Sequence, residues 1–225
     1  LAAGVSTLAK MLNPNIQVIG VEPANAACMK ASLKAGKVVS LPSAVTIADG
    51  TAVKTPGDIV FPYIQKNLDD IITVEDEELI VNFLDVVENH KMVVENSGLL
   101  TVAALKHLNC KDKRVVSILS GGNMDIITMS SVVQHGLIER GRVFTVSVQL
   151  PDRPGELVNV ANVIAQLKGN VIRLEHNQFV SINRNAAVEL KITLEAFGHE
   201  HKQQIVDALK EKGYDPKLEN PTSLY

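Results

Sequence analysis

Residues 114–123 read RVVSILSGGN, a short apolar run rich in β-branched side chains that ends in a pair of glycines. A run of this length and composition is typical of a fully buried strand in an α/β sheet. Helical spacing of apolar residues begins directly after it, at Met124. A glycine pair between a strand and a helix lets a ligand approach the backbone, and the start of the helix supplies free N–H groups. The stretch therefore predicts either a ligand site or a tight turn that needs glycine for geometry alone.

The sequence around this stretch divides into two parts near residue 141. Residues 1–140 alternate short β-rich runs with amphipathic helical stretches, which is the pattern of an open α/β sheet. The predicted strands are residues 16–21, 71–74 and 114–119, and the predicted helices are residues 1–12, 24–35, 75–89, 97–108 and 124–138. Thr73 to Asp76 resembles a capping box, which would open the third of these helices.

Residues 142–225 form the second predicted domain, with the order strand, helix, strand, strand, helix, strand. The strands are predicted at residues 143–150, 170–179, 186–194 and 214–218, and the helices at residues 155–168 and 201–212. The first strand, VFTVSVQL, alternates apolar and polar side chains as a half-buried strand should. The βαββαβ order in one short domain predicts a ferredoxin-like fold. The sequence thus predicts an α/β protein of two domains.

The composition is that of an ordinary globular protein, with 225 residues, 46% of them hydrophobic and 21% charged. The formal net charge of -3 gives no electrostatic footprint for nucleic acid, so no nucleic-acid partner is expected. No apolar run approaches the roughly 20 residues of a membrane span, and no signal peptide is recognisable. Cys28 and Cys110 cannot form a disulfide framework and fit a reducing compartment. We therefore expect a cytoplasmic protein with no membrane partner.

Short motifs along the first domain resemble the carboxyl-terminal part of the threonine ammonia-lyases (threonine dehydratases). In chain order they are Leu1-Ala2-Ala3-Gly4, Val21-Glu22-Pro23, Thr46-Ile47-Ala48-Asp49-Gly50 with Val53-Lys54 and Pro56-Gly57, and Leu119-Ser120-Gly121-Gly122-Asn123. This family belongs to the serine/threonine dehydratase group of fold-type II pyridoxal-phosphate (PLP) enzymes. The resemblance implies that residues 1–140 are the remainder of a fold-type II PLP domain, an open α/β sheet.

The resemblance also implies which residues bind the cofactor, pyridoxal 5'-phosphate. The hydroxyl group of Ser120 would interact with the pyridine nitrogen and leave that nitrogen unprotonated. Gly50 would bring backbone close to the cofactor ring, Asn123 would buttress the site, and Gly121 belongs to the same set. A ring nitrogen without a proton makes the ring a weaker electron sink, which favours prompt loss of a β-hydroxyl group from a substrate.

No catalytic residue is predicted within this sequence. In the family, the lysine that binds the cofactor as a Schiff base and the loop that binds the substrate carboxylate lie upstream. The tetraglycine phosphate cup of the family ends one residue before the position of Leu1. Lys54 is a candidate substitute nucleophile, but a lysine in a polar loop is usually solvated and unreactive. We therefore expect an incomplete active site and no catalysis by these residues alone.

A cation site is a weaker implication of the resemblance. Some family members hold a divalent cation with a glutamate, a backbone carbonyl four residues later and an acidic residue two further on. Glu22 and Ala26 match the first two positions, but Cys28 stands at the third. Because hard cations such as Mg²⁺ prefer oxygen ligands, the thiol weakens this candidate metal site. The alternative is that Glu22 caps the helix that follows it.

The second domain, residues 142–225, resembles an ACT domain, an amino-acid-sensing module. The turn between its first strand and first helix reads LPDRPGEL, residues 150–157. The candidate effector-binding residues are Asp152, Pro154, Gly155, Glu156 and Leu157. Free N–H groups at the start of the helix would hold the carboxylate of an effector, and Asp152 or Glu156 would receive its ammonium group. The alternative is a packing unit that binds no ligand.

Together the resemblances imply that the chain is part of a threonine ammonia-lyase whose activity is controlled allosterically by an amino acid bound at the ACT domain. Such an enzyme deaminates L-threonine to 2-oxobutanoate and ammonia, and L-serine to pyruvate, in isoleucine biosynthesis. Isoleucine or valine is the candidate effector. ACT domains pair side by side near their second strand, so a homodimer or homotetramer is expected. The alternatives are a non-catalytic amino-acid-binding regulatory fragment and another PLP lyase or racemase of the group, such as a serine racemase.

Overall fold

The computed structural model describes residues 1–177 and 188–219. The chain divides into two compact units, Leu1–Val133 and Gln134–Tyr225, and each has its own hydrophobic core. Residues 178–187 and 220–225 lie outside the described residues. They include the end of the strand predicted at residues 170–179 and the start of the strand predicted at residues 186–194. Within those described ranges, no helix is both long enough and apolar enough to cross a membrane.

The first unit combines a pair of strands with short helices. Its strands are β1 (Ile19–Pro23) and β2 (Asp70–Val74), and its helices are α1 (Ala2–Leu12), α2 (Cys28–Ala35), α3 (Phe61–Asn67), α4 (Asp76–Asp85), α5 (Leu100–Ala103) and the first part of α6 (Ile126–Glu139). Single 3-10 turns lie at Ala24–Ala26, Asp49–Thr51, Asn96–Leu99 and Ala104–His107, and a π-helical turn, Val86–His90, extends α4. This alternation confirms the predicted α/β class.

Strands β1 and β2 pair in parallel, with Ile19 opposite Asp70. Parallel neighbours need a long crossover connection, here the stretch that carries α2 and α3. Asp69 fixes the start of the pair, because its carboxylate accepts hydrogen bonds from Lys10 Nζ at 2.7 Å and from the Val18 N–H at 2.6 Å. The carboxyl ends of both strands therefore lie together at the opposite edge.

The prediction of a strand at residues 114–119 is wrong, because the segment runs as irregular chain. Three of its apolar side chains, Val115, Val116 and Ile118, are exposed, Val116 to 86%, whereas Leu119 packs partly buried against the core. The Thr101 hydroxyl donates to the Ile118 carbonyl at 2.9 Å, and the Ser117 hydroxyl donates to the Thr101 carbonyl at 3.2 Å. A buried parallel strand needs neighbouring strands, and no strand of the described residues pairs with this segment. Side-chain hydrogen bonds and the packing of Leu119 hold it in place instead.

The core of the first unit lies beneath α4 and α5. Phe83 and Leu79 of α4 and Leu99 of the following turn are fully buried. Helix α4 begins with a capping box, in which the Glu78 carboxylate accepts the Glu75 N–H at 2.8 Å. The sequence predicts a capping box here, but its N-cap is Glu75 and lies two residues further along the chain.

The second unit is a four-stranded antiparallel sheet with helices. After α6 its elements are β3 (Val143–Leu150), α7 (Glu156–Gln166), β4 (Asn170–Asn177), β5 (Val188–Glu195), α8 (His199–Glu211) and β6 (Lys217–Glu219). The strand order is β4-β5-β3-β6, and every neighbouring pair is antiparallel. This order, with helices after its first and third strands, is the ferredoxin-like fold that the sequence predicts.

Alternation along β3 separates the core from a polar face. Phe144, Val146 and Val148 are buried in the core together with residues of α7 and α8. The side chain of Thr145 lies on the other face, where its hydroxyl is 2.9 Å from the hydroxyl of Thr193 on β5. Successive side chains of a strand point to opposite faces, so the period of two in the sequence fixes this arrangement.

Strand β4 forms one edge of the sheet and pairs with β5 alone among the described strands. All eight of its residues are exposed. They include the apolar Val171, Ile172 and Leu174, which are 39–45% exposed. An edge strand with unpaired backbone groups and apolar side chains is a template for pairing with another strand.

Candidate cofactor site

Segments of the first unit meet at the turn that follows residues 114–119. They are the loop around Gly50, the turn Asn96–Leu99 and the turn of residues 120–123. Glycine makes the contacts close: a Cβ on Gly98 would overlap the Ser120 carbonyl, and a Cβ on Gly50 would lie 2.7 Å from Ser97 Oγ. Side chains at these two positions would force the segments apart, so their glycines are required by packing.

Glu95 joins two of these segments. Its Oε1 accepts a hydrogen bond from the Ser97 hydroxyl at 2.6 Å, and its Oε2 accepts one from the Asn123 backbone N–H at 3.2 Å. Its own N–H donates to the Gly121 carbonyl at 3.4 Å. Gly121 has a φ of +82°, and a Cβ there would overlap the Glu95 carboxyl group. One side chain thus holds the 120–123 turn at its glycine and at its asparagine.

Sequence reasoning missed Glu95 and Ser97. The segment Glu95-Asn96-Ser97-Gly98 reads as a polar stretch at the start of a predicted helix, and nothing in its pattern suggests a partner near residue 121. The available signal was Gly98, because a glycine inside a helical pattern can mark a close backbone approach.

The loop that carries Gly50 is held by Asp76, the first residue of α4. Its Oδ1 accepts the Thr46 hydroxyl at 2.5 Å, and its Oδ2 accepts the Ile47 N–H at 3.0 Å. Asn96 Nδ2 donates to the Ile47 carbonyl at 3.1 Å. The Gly50 loop is therefore tied both to α4 and to the turn that contains Asn96.

The sequence-predicted cofactor residues surround Glu95. They are Gly50, Ser120, Gly121 and Asn123; Ser120 is half-buried, and the other three are exposed. Gly50, Gly121 and the Asn123 backbone approach Glu95 or its partner Ser97 directly, and Ser120 precedes Gly121 in the same turn. Lys54 is exposed, as expected for a solvated loop lysine.

The start of α6 differs from expectation, because its first N–H groups are already bound. The Asp125 carboxylate accepts hydrogen bonds from the Ile127 N–H at 3.0 Å and the Thr128 N–H at 2.9 Å. It also accepts the Thr128 hydroxyl, and these hydrogen bonds lower the pKa of Asp125, the hydroxyl having the largest effect. A ligand at this turn therefore meets a capped helix and the exposed backbone of the glycines.

The residues at this turn fit the ring of PLP. The hydroxyl of half-buried Ser120 forms no hydrogen bond within the described residues, so it is available to a ring nitrogen. Gly121 and Gly122 have no side chains of their own and present exposed backbone. Asn96 Oδ1 is buried and has no hydrogen-bond partner in the described part of the chain. A buried polar atom without a partner is costly and often marks a functional position.

The geometry at Glu22 is that of a helix cap. Its Oε1 accepts the Met29 N–H at 2.9 Å, and its Oε2 accepts the Lys30 N–H at 2.8 Å, both in α2. Cys28 Sγ lies 4.0 Å from Oε1, and Ala26 is buried nearby. Burial raises the pKa of Glu22 above its ordinary value of 4.5. Across the described ranges no cluster of three or more His, Cys, Asp or Glu side chains could hold a metal ion, and cation binding at Glu22 and Ala26 stays a prediction.

The candidate effector turn lies in the second unit, between β3 and α7. Gly155 adopts a φ of +97° as the N-cap of α7, and no side chain caps that helix. Asp152, Pro154 and Leu157 are exposed. The Glu156 carboxylate accepts a hydrogen bond from the Tyr214 hydroxyl at 3.3 Å, a partner that the sequence did not suggest. The Glu156 N–H donates to the Arg153 carbonyl at 3.4 Å. The turn therefore combines a helix start that no side chain caps with a carboxylate.

Gly121→Ala should destabilise the first unit by about 1–3 kcal/mol, because it places a side chain at a positive φ and against Glu95. Gly122→Ala is the matched control: its Cβ would meet only the Val93 carbonyl, at 3.6 Å, so its effect should be within about 0.5 kcal/mol. Urea unfolding followed by circular dichroism measures both. Equal stability of the two variants would contradict the close packing of Gly121 on Glu95.

Glu22→Gln should remove a pH-dependent term from the free energy of unfolding. The folded-state pKa of Glu22 is raised, so Glu22 stabilises the folded protein fully below about pH 4.5. This stabilisation is lost as pH rises through the raised pKa. The wild type should therefore lose more stability than the variant as pH rises above about 4.5 in urea unfolding.

The exposed Glu77→Gln is the control for this comparison, and its pH dependence should follow that of the wild type. If Glu22 binds a divalent cation, Mg²⁺ will raise the melting temperature of the wild type but not of Glu22→Gln. A cap without metal predicts no such rise.

Comparison with known proteins identifies the family. The sequence profile of the family described as "Pyridoxal-phosphate dependent enzyme" matches residues 1–121. The L-threonine ammonia-lyase of Geobacter sulfurreducens is 38% identical over 216 residues, which are 95% of this chain and 54% of that protein. The L-threonine ammonia-lyase of Thermotoga maritima is 34% identical over 97% of this chain and 55% of that protein. The chain thus spans about half the length of these curated relatives.

A solved structure agrees with the sequence comparison. The processed form of threonine deaminase isoform 2 from Solanum lycopersicum has a TM-score of 0.56 and 33% identity, over 60% of this chain and 40% of that one. The profile match covers more than half of the chain and includes Gly50, Ser120 and Gly121. The chain therefore belongs to the family of pyridoxal-phosphate-dependent enzymes.

Proposed function

We propose that this chain is the carboxyl-terminal part of a PLP-dependent threonine ammonia-lyase, which converts L-threonine to 2-oxobutanoate and ammonia and L-serine to pyruvate. The observation that carries the proposal is the turn of residues 120–123, whose unpartnered Ser120 hydroxyl and exposed glycines lie in a PLP-family domain. The identity of 34–38% to two L-threonine ammonia-lyases along both units supports the choice of reaction. A place in isoleucine biosynthesis is supported by relatives named as biosynthetic threonine dehydratases.

When bound, PLP supplies an electron-withdrawing ring that permits loss of the α-proton and the β-hydroxyl group of the substrate. Ser120 would hold the ring nitrogen with a neutral hydroxyl, which does not require that nitrogen to carry a proton. Gly50 and Gly121 would bring backbone close to the ring, since their close packing on Ser97 and Glu95 leaves no room for side chains. Asn123 would buttress the turn through the hydrogen bond from its backbone N–H to Glu95. The lysine that forms the Schiff base belongs to the upstream part of the family fold, so the 225 residues alone are not expected to turn over threonine.

We propose that the second unit is an ACT regulatory domain that binds isoleucine or valine. The ferredoxin-like topology supports this, as does the turn of residues 151–157, where the N–H groups of α7 lack a side-chain cap. These groups would bind the effector carboxylate. Asp152 or Glu156 would bind its ammonium group, with Pro154, Gly155 and Leu157 forming the surrounding wall.

The proposal includes a homodimer or homotetramer in which β4 pairs with its copy. Antiparallel pairing centred on Leu174 would place Arg173 of one chain opposite Glu175 of the other, an attractive cross-strand pair. The exposed apolar residues of β4 support this arrangement. A cytoplasmic location belongs to the same proposal and is supported by the free thiols of Cys28 and Cys110.

Ser120→Ala in the full-length protein should raise the dissociation constant for PLP about tenfold, because one hydrogen bond to the ring nitrogen is lost. Its rate of 2-oxobutanoate formation from threonine should fall as well. The control is Ser43→Ala, at an exposed loop position of the same unit. PLP titration followed by absorbance and a 2-oxobutanoate assay measure the two quantities. Wild-type values for Ser120→Ala would contradict the proposed site, and PLP binding without deamination of threonine or serine would favour a different reaction of the family.

Leu174→Lys should at least halve the mass of the assembly in sedimentation, because a charged side chain on an edge strand opposes strand pairing. Leu218→Lys is the matched control, since Leu218 is 50% exposed on β6 at the other edge of the same sheet. An unchanged mass for Leu174→Lys, or a loss of association with Leu218→Lys alone, would contradict pairing through β4.

A further inference from the structure

We propose that Glu95 is a positioning residue of the cofactor site. Its carboxylate fixes the turn of residues 120–123, so that the Ser120 hydroxyl is held where the cofactor ring binds. The inference rests on the proposed role of Ser120, and it assigns a purpose to a half-buried charge that the reaction itself does not use.

Each oxygen of the Glu95 carboxylate serves a different segment. Oε1 accepts the Ser97 hydroxyl at 2.6 Å, and Oε2 accepts the Asn123 N–H at 3.2 Å. Hydrogen bonds to an ionised acceptor are stronger than those between neutral groups. The carboxylate therefore links the Asn96–Leu99 turn to the glycine turn through its two oxygens.

The place of Ser120 depends on these contacts. Its carbonyl packs on Gly98, where no side chain would fit, and the next residue, Gly121, packs on the Glu95 carboxyl group. The Gly121 carbonyl also accepts the Glu95 N–H at 3.4 Å. The Ser120 hydroxyl makes no hydrogen bond of its own within the described residues. Glu95 and its neighbours therefore determine where this hydroxyl lies.

The partners of the Glu95 carboxylate are neutral, and no Lys, Arg or His in the described part of the chain forms an ion pair with it. A glutamine can therefore take its place with little change in shape. The amide oxygen would accept the Asn123 N–H, and the amide NH₂ would donate to Ser97 Oγ. Glu95→Gln keeps the two links and removes the charge, whereas Glu95→Ala removes both links.

The experiment compares Glu95→Ala and Glu95→Gln in the full-length protein, with the exposed Glu77→Ala as control. Hydrogen exchange without PLP reports the Asn123 amide, and absorbance titration gives the dissociation constant for PLP. For Glu95→Ala we expect exchange at Asn123 to be about tenfold faster or more, and the dissociation constant to rise about tenfold or more. Glu95→Gln should stay within about threefold of the wild type in both, and Glu77→Ala should match the wild type.

Wild-type exchange and PLP affinity in Glu95→Ala would overturn the inference, and so would a Glu95→Gln variant that is as impaired as Glu95→Ala.

If Glu95→Ala also loses protection at the amides of β1 and β2, its fold is damaged, and Glu95→Asp replaces it. The shorter side chain cannot reach both donors, so Glu95→Asp should weaken PLP binding, and wild-type affinity would overturn the inference. If Ser120→Ala weakens PLP binding while Glu95→Ala does not, only the role of Glu95 is wrong; if neither does, the proposed site is wrong.

Discussion

Two hydrogen bonds to one carboxylate, from the Ser97 hydroxyl and the Asn123 backbone, join parts of the first unit that are far apart in the sequence. This contact requires glycine at residue 121, and the loop around Gly50 packs on the same Ser97 side chain. Pairing between strands cannot account for the arrangement, because residues 114–119 form no strand here. Side-chain hydrogen bonds, together with glycines that allow close approach, therefore hold the Gly50 loop, the Asn96–Leu99 turn and residues 120–123 together.

The predictability of the fold depended on how local each signal was. The alternation of residues 143–150 predicted β3 and its buried face, because a period of two is a property of the strand itself. Residues 114–119 carry an equally clear apolar signal, yet a buried strand also needs neighbours, which a local pattern cannot supply. The capping box was predicted at Thr73 but formed at Glu75, where Glu78 is three residues away and can bind the N-cap N–H.

The residues of the candidate cofactor site also divide into those that the sequence could reveal and those that depend on tertiary contacts. Gly121 could be named from its pattern, because a glycine pair after an apolar run marks a close backbone approach, whereas Gly50 was named from the family resemblance. Glu95 could not, because it contacts this turn through a hydrogen bond from a residue 28 positions away. Asp125 was also overlooked, although its capping of α6 changes what the helix start can offer to a ligand. Residue type predicts what a position can do, whereas tertiary contacts decide which of these options it uses.

We propose that PLP binds where the Gly50 loop, the Asn96–Leu99 turn and the 120–123 turn meet around Glu95. Hydrogen exchange on the full-length protein, with and without PLP, tests this location directly. We expect PLP to slow exchange at amides in residues 48–51 and 119–123 of the first unit and to leave the ferredoxin-like sheet of the second unit unaffected. Slowed exchange confined to other segments, with these two unchanged, would contradict it.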